Sequence, residues 1–292
     1  MNEEKEMSFL DHLEELRWHI VRSISAVFLF MVTVFVFGKW IFQNVIFAPA
    51  RADFVTFRYM CKIGHLLNMA DSFCVGAIPF KVQSRIMTGQ FTMHLTVAFV
   101  LGFIIAFPYV FWEIWKFVTP GLHASERNNS RWAVTAVSFL FLVGVSFGYF
   151  IMSPLAVWFL STYSVSDMVS NEFDITSYVS TITALVFGSG LLFQLPVVVY
   201  FLSRVGIVTP RLMKQYRKHA LVAILILGAI ITPPDPLSQI LISLPLYMLY
   251  EVSILISSMV ERKQLKKDKE NLRADAGGNA FGATLGLTIV VK

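Results

Sequence analysis

The fold class predicted is an all-α integral membrane protein of six transmembrane helices with N and C termini cytoplasmic and a short fifth span. Three observations predict it. The chain of 292 residues is 56% hydrophobic and only 15% charged, whereas a soluble domain carries about 25% charged residues, and its mean hydropathy is +0.65. Six apolar runs fill most of its length, measured against the roughly 20 helical residues that cross a bilayer core. Lys and Arg gather in alternate connections between those runs, which orients the spans. Each span is helical because lipid cannot satisfy an open strand edge.

Ser8 opens a cytoplasmic helix, with Asp11 as capping-box partner and Phe9, Leu10, Leu13, Leu16 and Ile20 at helical spacing. This amphipathic helix is expected to lie at the inner interface and then turn into the first run, Ile24 to Phe37. The chain opens Met1-Asn2-Glu3-Glu4-Lys5-Glu6, acidic rather than basic, so no cleavable signal is expected and the first run stays as an anchor. An outer insert covers residues 49–90. The second run is Phe91 to Trp112, the third Trp132 to Met152, the fourth Thr181 to Leu202, the fifth Ala220 to Ile231 and the sixth Ile240 to Val260.

The fifth is short. Between Lys218 and Asp235 lie about 16 uncharged residues, a reach of about 24 Å at the helical rise, which requires a thinned bilayer or protein surroundings. Thr209-Pro210 after the fourth run, like Thr119-Pro120 after the second, provides an N-cap and a first helical proline. Residues 1–261 are thus expected to form one membrane domain, and 262–292 a basic, disordered cytoplasmic tail.

Arg127 and Arg131 follow the second run, and Arg204, Arg211, Lys214, Arg217 and Lys218 follow the fourth. The connection Ser153 to Tyr178 has no Lys or Arg but carries Asp167, Glu172 and Asp174. The net charge of +5 is therefore a topology signal and not a nucleic-acid footprint. No phosphate loop, His/Cys metal spacing or Ser-His-Asp set is present in the sequence, which argues against an enzyme and against a cofactor.

The remaining polar residues near the membrane each have two readings. Glu14, Glu15 and Arg17 form either a solvated helix face, with Glu14 paired to Arg17, or a ligand site. Glu113 has Lys116 three residues on, a local ion pair. Glu251 lies within the inner leaflet of the sixth span, where a carboxylate either docks a partner or makes an internal hydrogen bond. Gln194 either meets a partner helix or satisfies a kink made by Pro196. Asp235, after two prolines, caps a turn or serves translocation. Cys61 and Cys74, both in the insert, form a disulfide in an oxidising compartment or remain free thiols.

The segment His12-Leu13-Glu14-Glu15-Leu16-Arg17 before the first span is similar to the opening motif of TatC proteins, the multispanning subunit of the twin-arginine protein translocase. The resemblance continues through Trp115-Lys116-Phe117-Val118-Thr119-Pro120-Gly121-Leu122, Ser125-Glu126-Arg127, Phe147-Gly148-Tyr149-Phe150, Phe193-Gln194-Leu195-Pro196, Gly206-Ile207-Val208-Thr209 and Thr232-Pro233-Pro234-Asp235. These stand in family order and cover Ser8 to Glu261.

The resemblance implies a receptor for signal peptides with two adjacent arginines, in the cytoplasmic (inner) membrane. It implies single-span partners of the TatA and TatB kind, a homo-oligomer within the receptor complex, and export of folded proteins driven by the proton-motive force. Glu15, Arg17, Phe117, Glu126 and Arg127 are the expected signal-peptide-binding residues; carboxylates match the forked guanidinium. Tyr149, Gln194, Asp235 and Glu251 are the expected polar positions toward partner helices. Two departures stand out. Asn128 follows Glu126-Arg127 where the family commonly has a second arginine, and Gln194 stands where many members have Glu. A secondary transporter would instead place its binding groups near the bilayer midplane on inverted repeats, and a scaffold would not distinguish Arg-Arg from Lys-Lys.

Overall fold

The computed structural model describes residues 9–66, 74, 81–118, 130–166, 168, 171–231 and 236–289. Ser8, the Thr119-Pro120 turn, Glu126, Arg127, Asp167 and Asp235 lie outside the described residues. Elsewhere the chain is helical apart from one short strand pair. Among the described residues, five helical stretches are long and apolar enough to cross a membrane: Glu14–Val36, Gly89–Phe117, Val134–Thr162, Ile175–Arg204 and Gln239–Lys266. The described residues fall into two compact units, one running to Gln194 and including Leu225–Leu244, the other formed by Leu195–Ile224 and the chain from Pro245 onward.

In the first unit, α1 runs from Phe9 to Val36. This corrects the expected turn between an interfacial helix and the first span. No Gly or Pro interrupts Phe9 to Val36, so nothing breaks the backbone hydrogen-bond ladder and one helix serves both parts. α1 packs along α4, Gly89–Val118. Gly102 makes that approach possible: a Cβ there would stand 2.7 Å from the backbone nitrogen of Met31.

After α1, the short helix α2 (Gly38–Ile41) passes into a π-turn, Phe42–Ile46. That turn leaves carbonyls without helical partners. Arg51 takes the Gln43 carbonyl at 2.6 Å, Tyr149 that of Val45 at 2.9 Å and Tyr178 that of Ile46 at 2.8 Å. The insert then forms α3, Val55–Leu66, and Cys61 is joined to Cys74 by a disulfide.

The third span is α5 (Ser130–Phe147), a π-turn (Gly148–Met152) and α6 (Ser153–Thr162) in continuity. It outruns the expected end at Met152. Pro154 has no N–H to offer the Phe150 carbonyl four residues back, and the Thr56 hydroxyl of α3 donates to that carbonyl instead. Strand β1 (Lys81–Gln83) pairs in parallel with β2 (Glu172–Asp174), Lys81 opposite Glu172 and Gln83 opposite Asp174.

Helix α7, Ile175–Leu192, is capped by Asp174, whose carboxylate accepts from the Thr176 amide at 2.8 Å. The Asp174 carboxyl is held below its usual range first by the Thr176 hydroxyl, then by the backbone amides of Arg85 and Thr176. α4, α5 and α7 pack together, with Phe107 stacked on Phe141 at 3.6 Å between ring centroids. Gly148 lets α7 approach closely, since a Cβ there would meet the Leu185 carbonyl at 2.7 Å.

In the second unit, α8 (Leu195–Arg204) is followed by α9 (Pro210–Gln215). Thr209 accepts from the Leu212 amide with Pro210 first in the helix. α10 spans Arg217–Ile231, 15 residues, of which those from Leu225 belong to the first unit, and is shorter than a bilayer core needs. α11 runs from Pro236 to Ile289, its residues to Leu244 in the first unit and the rest in the second. It continues through the stretch for which disorder is expected. Lys266 to Ala276 consists mostly of Lys, Arg, Glu, Leu and Ala, good helix formers.

Candidate functional site

The arginine-reading residues expected on α1 meet α4 in the first unit. Helical spacing puts Glu15, His19 and Arg22 on one stripe of α1, and Glu113 faces them from the last turns of α4. Glu113 is 2% exposed, and its Oε2 lies 2.6 Å from His19 Nδ1. Its other oxygen takes Lys116 Nζ at 3.4 Å, Arg22 stands 4.0 Å away, and Tyr109 presents its hydroxyl to the same carboxylate. A carboxylate this buried requires such partners. Lys116 is further held over the Trp112 ring, 3.6 Å from its centroid.

Glu15 differs from Glu113 in its access to solvent. Its side chain is 39% exposed and one oxygen lies 3.9 Å from His19 Nε2, beyond hydrogen-bonding distance. Glu15, Trp18, His19 and Arg22 line an open groove of about 430 Å³. Trp18 is exposed, and Phe117 approaches His19 edge-on at 6.4 Å between centroids. A carboxylate without a close hydrogen bond beside an exposed indole suits a planar cation, which can bond at its edge and stack on its face.

Arg17 pairs with Glu14 at 3.4 Å, both 66% exposed, while its guanidinium stands 5.7 Å from the centroid of the Trp18 ring. The expected pairing of Glu14 with Arg17 is present. Glu113 does pair with Lys116, but its closest partner is His19, 94 positions away. Sequence inspection missed His19 and Trp18, because a helix-face pattern does not reveal which neighbouring helix supplies the opposing carboxylate.

The other expected polar positions are separate from the groove. Gln194 sits where α7 gives way to α8, and its Nε2 donates to the Val137 carbonyl of α5 at 3.4 Å. Its Oε1 is buried with no partner among the described residues. Gln194 therefore bridges two helices rather than satisfying a local kink. Tyr149 packs edge-on against Phe54 while bonding Val45. In the second unit, Glu251 accepts from Arg217 at 2.7 Å, and the neighbouring Tyr250 hydroxyl donates to the Met213 carbonyl at 2.8 Å. The internal partner considered for Glu251 is thus in place.

Cys61, His65 and Cys74 bring their ligand atoms within 4.8 Å of one another. The two sulfurs are bonded to each other, so neither is a thiolate available to a metal.

A family model described as "Sec-independent protein translocase protein (TatC)" matches residues 11–245. The chain is 38% identical to the Sec-independent protein translocase protein TatC of Blattabacterium sp. subsp. Periplaneta americana (strain BPLAN) over 264 residues, 90% of this chain and 99% of that protein. It is 33% identical to the protein of the same name from Halalkalibacterium halodurans over 281 residues, 94% of this chain and 99% of that one. A crystal structure described as the twin-arginine translocase receptor TatC superposes with a TM-score of 0.66 at 28% identity, covering 86% of this chain and 99% of its own.

Proposed function

The chain belongs to the TatC family, and from that membership we propose that it is the receptor through which folded proteins bearing twin-arginine signal peptides enter a Sec-independent translocase. It is a multi-pass membrane component of a protein-transport machine and not an enzyme.

The carboxylate of Glu15, open to the groove beside Trp18 and Phe117, carries this reading. A guanidinium arriving from the cytoplasm finds there an unsatisfied acceptor at the edge of a low-dielectric medium, where a charge-assisted bond is strong. Glu126 and Arg127 join the site on the strength of the family motif, Glu126 as the acceptor for the second arginine. Phe117 packs against the peptide.

Six crossings, α10 being the short one, place both termini in the cytoplasm of a cell whose inner membrane holds the protein. The Lys and Arg distribution of the connections supports that orientation. The membrane domain extends to Glu261, and residues 262–292 form the basic cytoplasmic tail. TatA- and TatB-like single-span proteins dock on the later spans, with Gln194 among the polar positions toward a partner helix. Copies of the chain assemble within the receptor complex, and export draws on the proton-motive force.

Photocrosslinking from probes at Glu15, Phe117 and Glu126 to a twin-arginine signal peptide in membranes tests the assignment. Crosslinks that vanish with a Lys-Lys peptide are expected. Equal crosslinking to both peptides by well-inserted protein would point to a scaffold.

A further inference from the structure

We infer that His19 is a second acceptor for the bound arginine, held in its accepting form by the buried carboxylate of Glu113; the inference rests on the peptide-receptor reading above. Glu113 Oε2 is 2.6 Å from His19 Nδ1. A carboxylate at that distance accepts from the ring N–H, so in the neutral imidazole Nδ1 is the donor and Nε2 is left with a lone pair. That lone pair belongs to the wall of the same groove as Glu15.

Nε2 and the nearer Glu15 oxygen are 3.9 Å apart, too far to bond each other and close enough for the forked N–H groups of one guanidinium to meet both. Glu113 itself, 2% exposed, does not face the ligand and acts through His19 as a positioning residue. Lys116 occupies its other oxygen, leaving Oε2 to the imidazole. The titratable and charged groups facing His19 among the described residues are Glu15 and Arg22 on its own helix and Tyr109, Glu113 and Lys116 on α4.

One consequence separates this role from simple packing. A side chain that accepts at the Nε2 position should replace His19, while an apolar one of similar size should not.

The experiment measures the affinity of a labelled twin-arginine signal peptide for the full chain in lipid nanodiscs, by fluorescence anisotropy. His19→Leu is expected to bind about tenfold more weakly, the worth of one charge-assisted hydrogen bond. His19→Gln is expected to bind nearly as the parent does. With a Lys-Lys peptide, whose ammonium groups are points rather than forks, the difference between the parent and His19→Leu should be far smaller.

Parent-like affinity in His19→Leu, or a tenfold loss in His19→Gln, overturns the inference. Should His19→Leu fail to insert, His19→Met, apolar and more pliant, takes its place. Glu15→Ala separates the two levels. If it abolishes binding while the His19 variants change nothing, only the role of His19 falls; if it too binds normally, the receptor site is elsewhere.

Discussion

The Tyr178 hydroxyl donates to the Ile46 carbonyl at 2.8 Å, across 132 positions of sequence. This contact ties the start of α7 to the π-turn that ends the first span. Ile46 is 3% exposed, so without the hydroxyl its carbonyl has no water to turn to. Tyr178→Phe should therefore destabilise the protein by about 1–2 kcal/mol. A lowered Tm in detergent, with helix content unchanged by circular dichroism, is the expected observation.

Gly102 lets the α1 backbone approach α4, and any side chain there meets Met31. Gly102→Val should cost about 1–3 kcal/mol through overpacking. The same measurement checks it, and Gly102→Ala should fall between the parent and Val.

Glu15→Ala and Glu126→Ala should each weaken twin-arginine peptide binding by about 2–5 kcal/mol, the cost of truncating one partner of a charge pair. Folding should be unaffected, since Glu15 makes no close hydrogen bond. Titration with labelled peptide, alongside a Lys-Lys control, checks both.

Asp174 links pH to the strand pair β1–β2. Its folded carboxyl is held low, first by the Thr176 hydroxyl and then by the amides of Arg85 and Thr176. A carboxyl depressed in the folded state adds stability above its unfolded pKa of about 3.9 and loses it as pH falls through the lower folded value. The Tm advantage of the parent over Asp174→Asn should thus be full at neutral pH and shrink below about pH 4. Thermal unfolding across that range is the measurement.

Arg217 and Glu251 are joined at 2.7 Å but remain 45% and 34% exposed. Their coupling in a double-mutant cycle should be modest, about 0.5–1 kcal/mol. A much larger value would mean that the pair is shielded from solvent when the protein is in its membrane.

The class of the protein was legible because lipid imposes a length and polarity rule that acts on each segment alone. Runs such as Phe91 to Trp112 satisfy that rule with no knowledge of their neighbours, and the ordered motifs from His12 to Asp235 added the family. Local backbone chemistry was legible too where it depends on adjacent residues, as at Thr209-Pro210. The continuity of α1 could have been read from the absence of Gly and Pro, although amphipathicity drew attention to a separate interfacial helix.

What the sequence by itself determined is therefore the membrane class, the approximate places of five apolar spans, the family and the presence of Glu15 near the start of the first helix. Only the tertiary structure decided that Glu113 is held by His19, that Tyr149 and Tyr178 close the carbonyls of a π-turn, and that Gln194 reaches α5. The physical reason is range. Hydropathy and capping are properties of a residue and its few neighbours, whereas the partner of a buried polar group is whichever side chain the packing of another helix brings within about 3 Å.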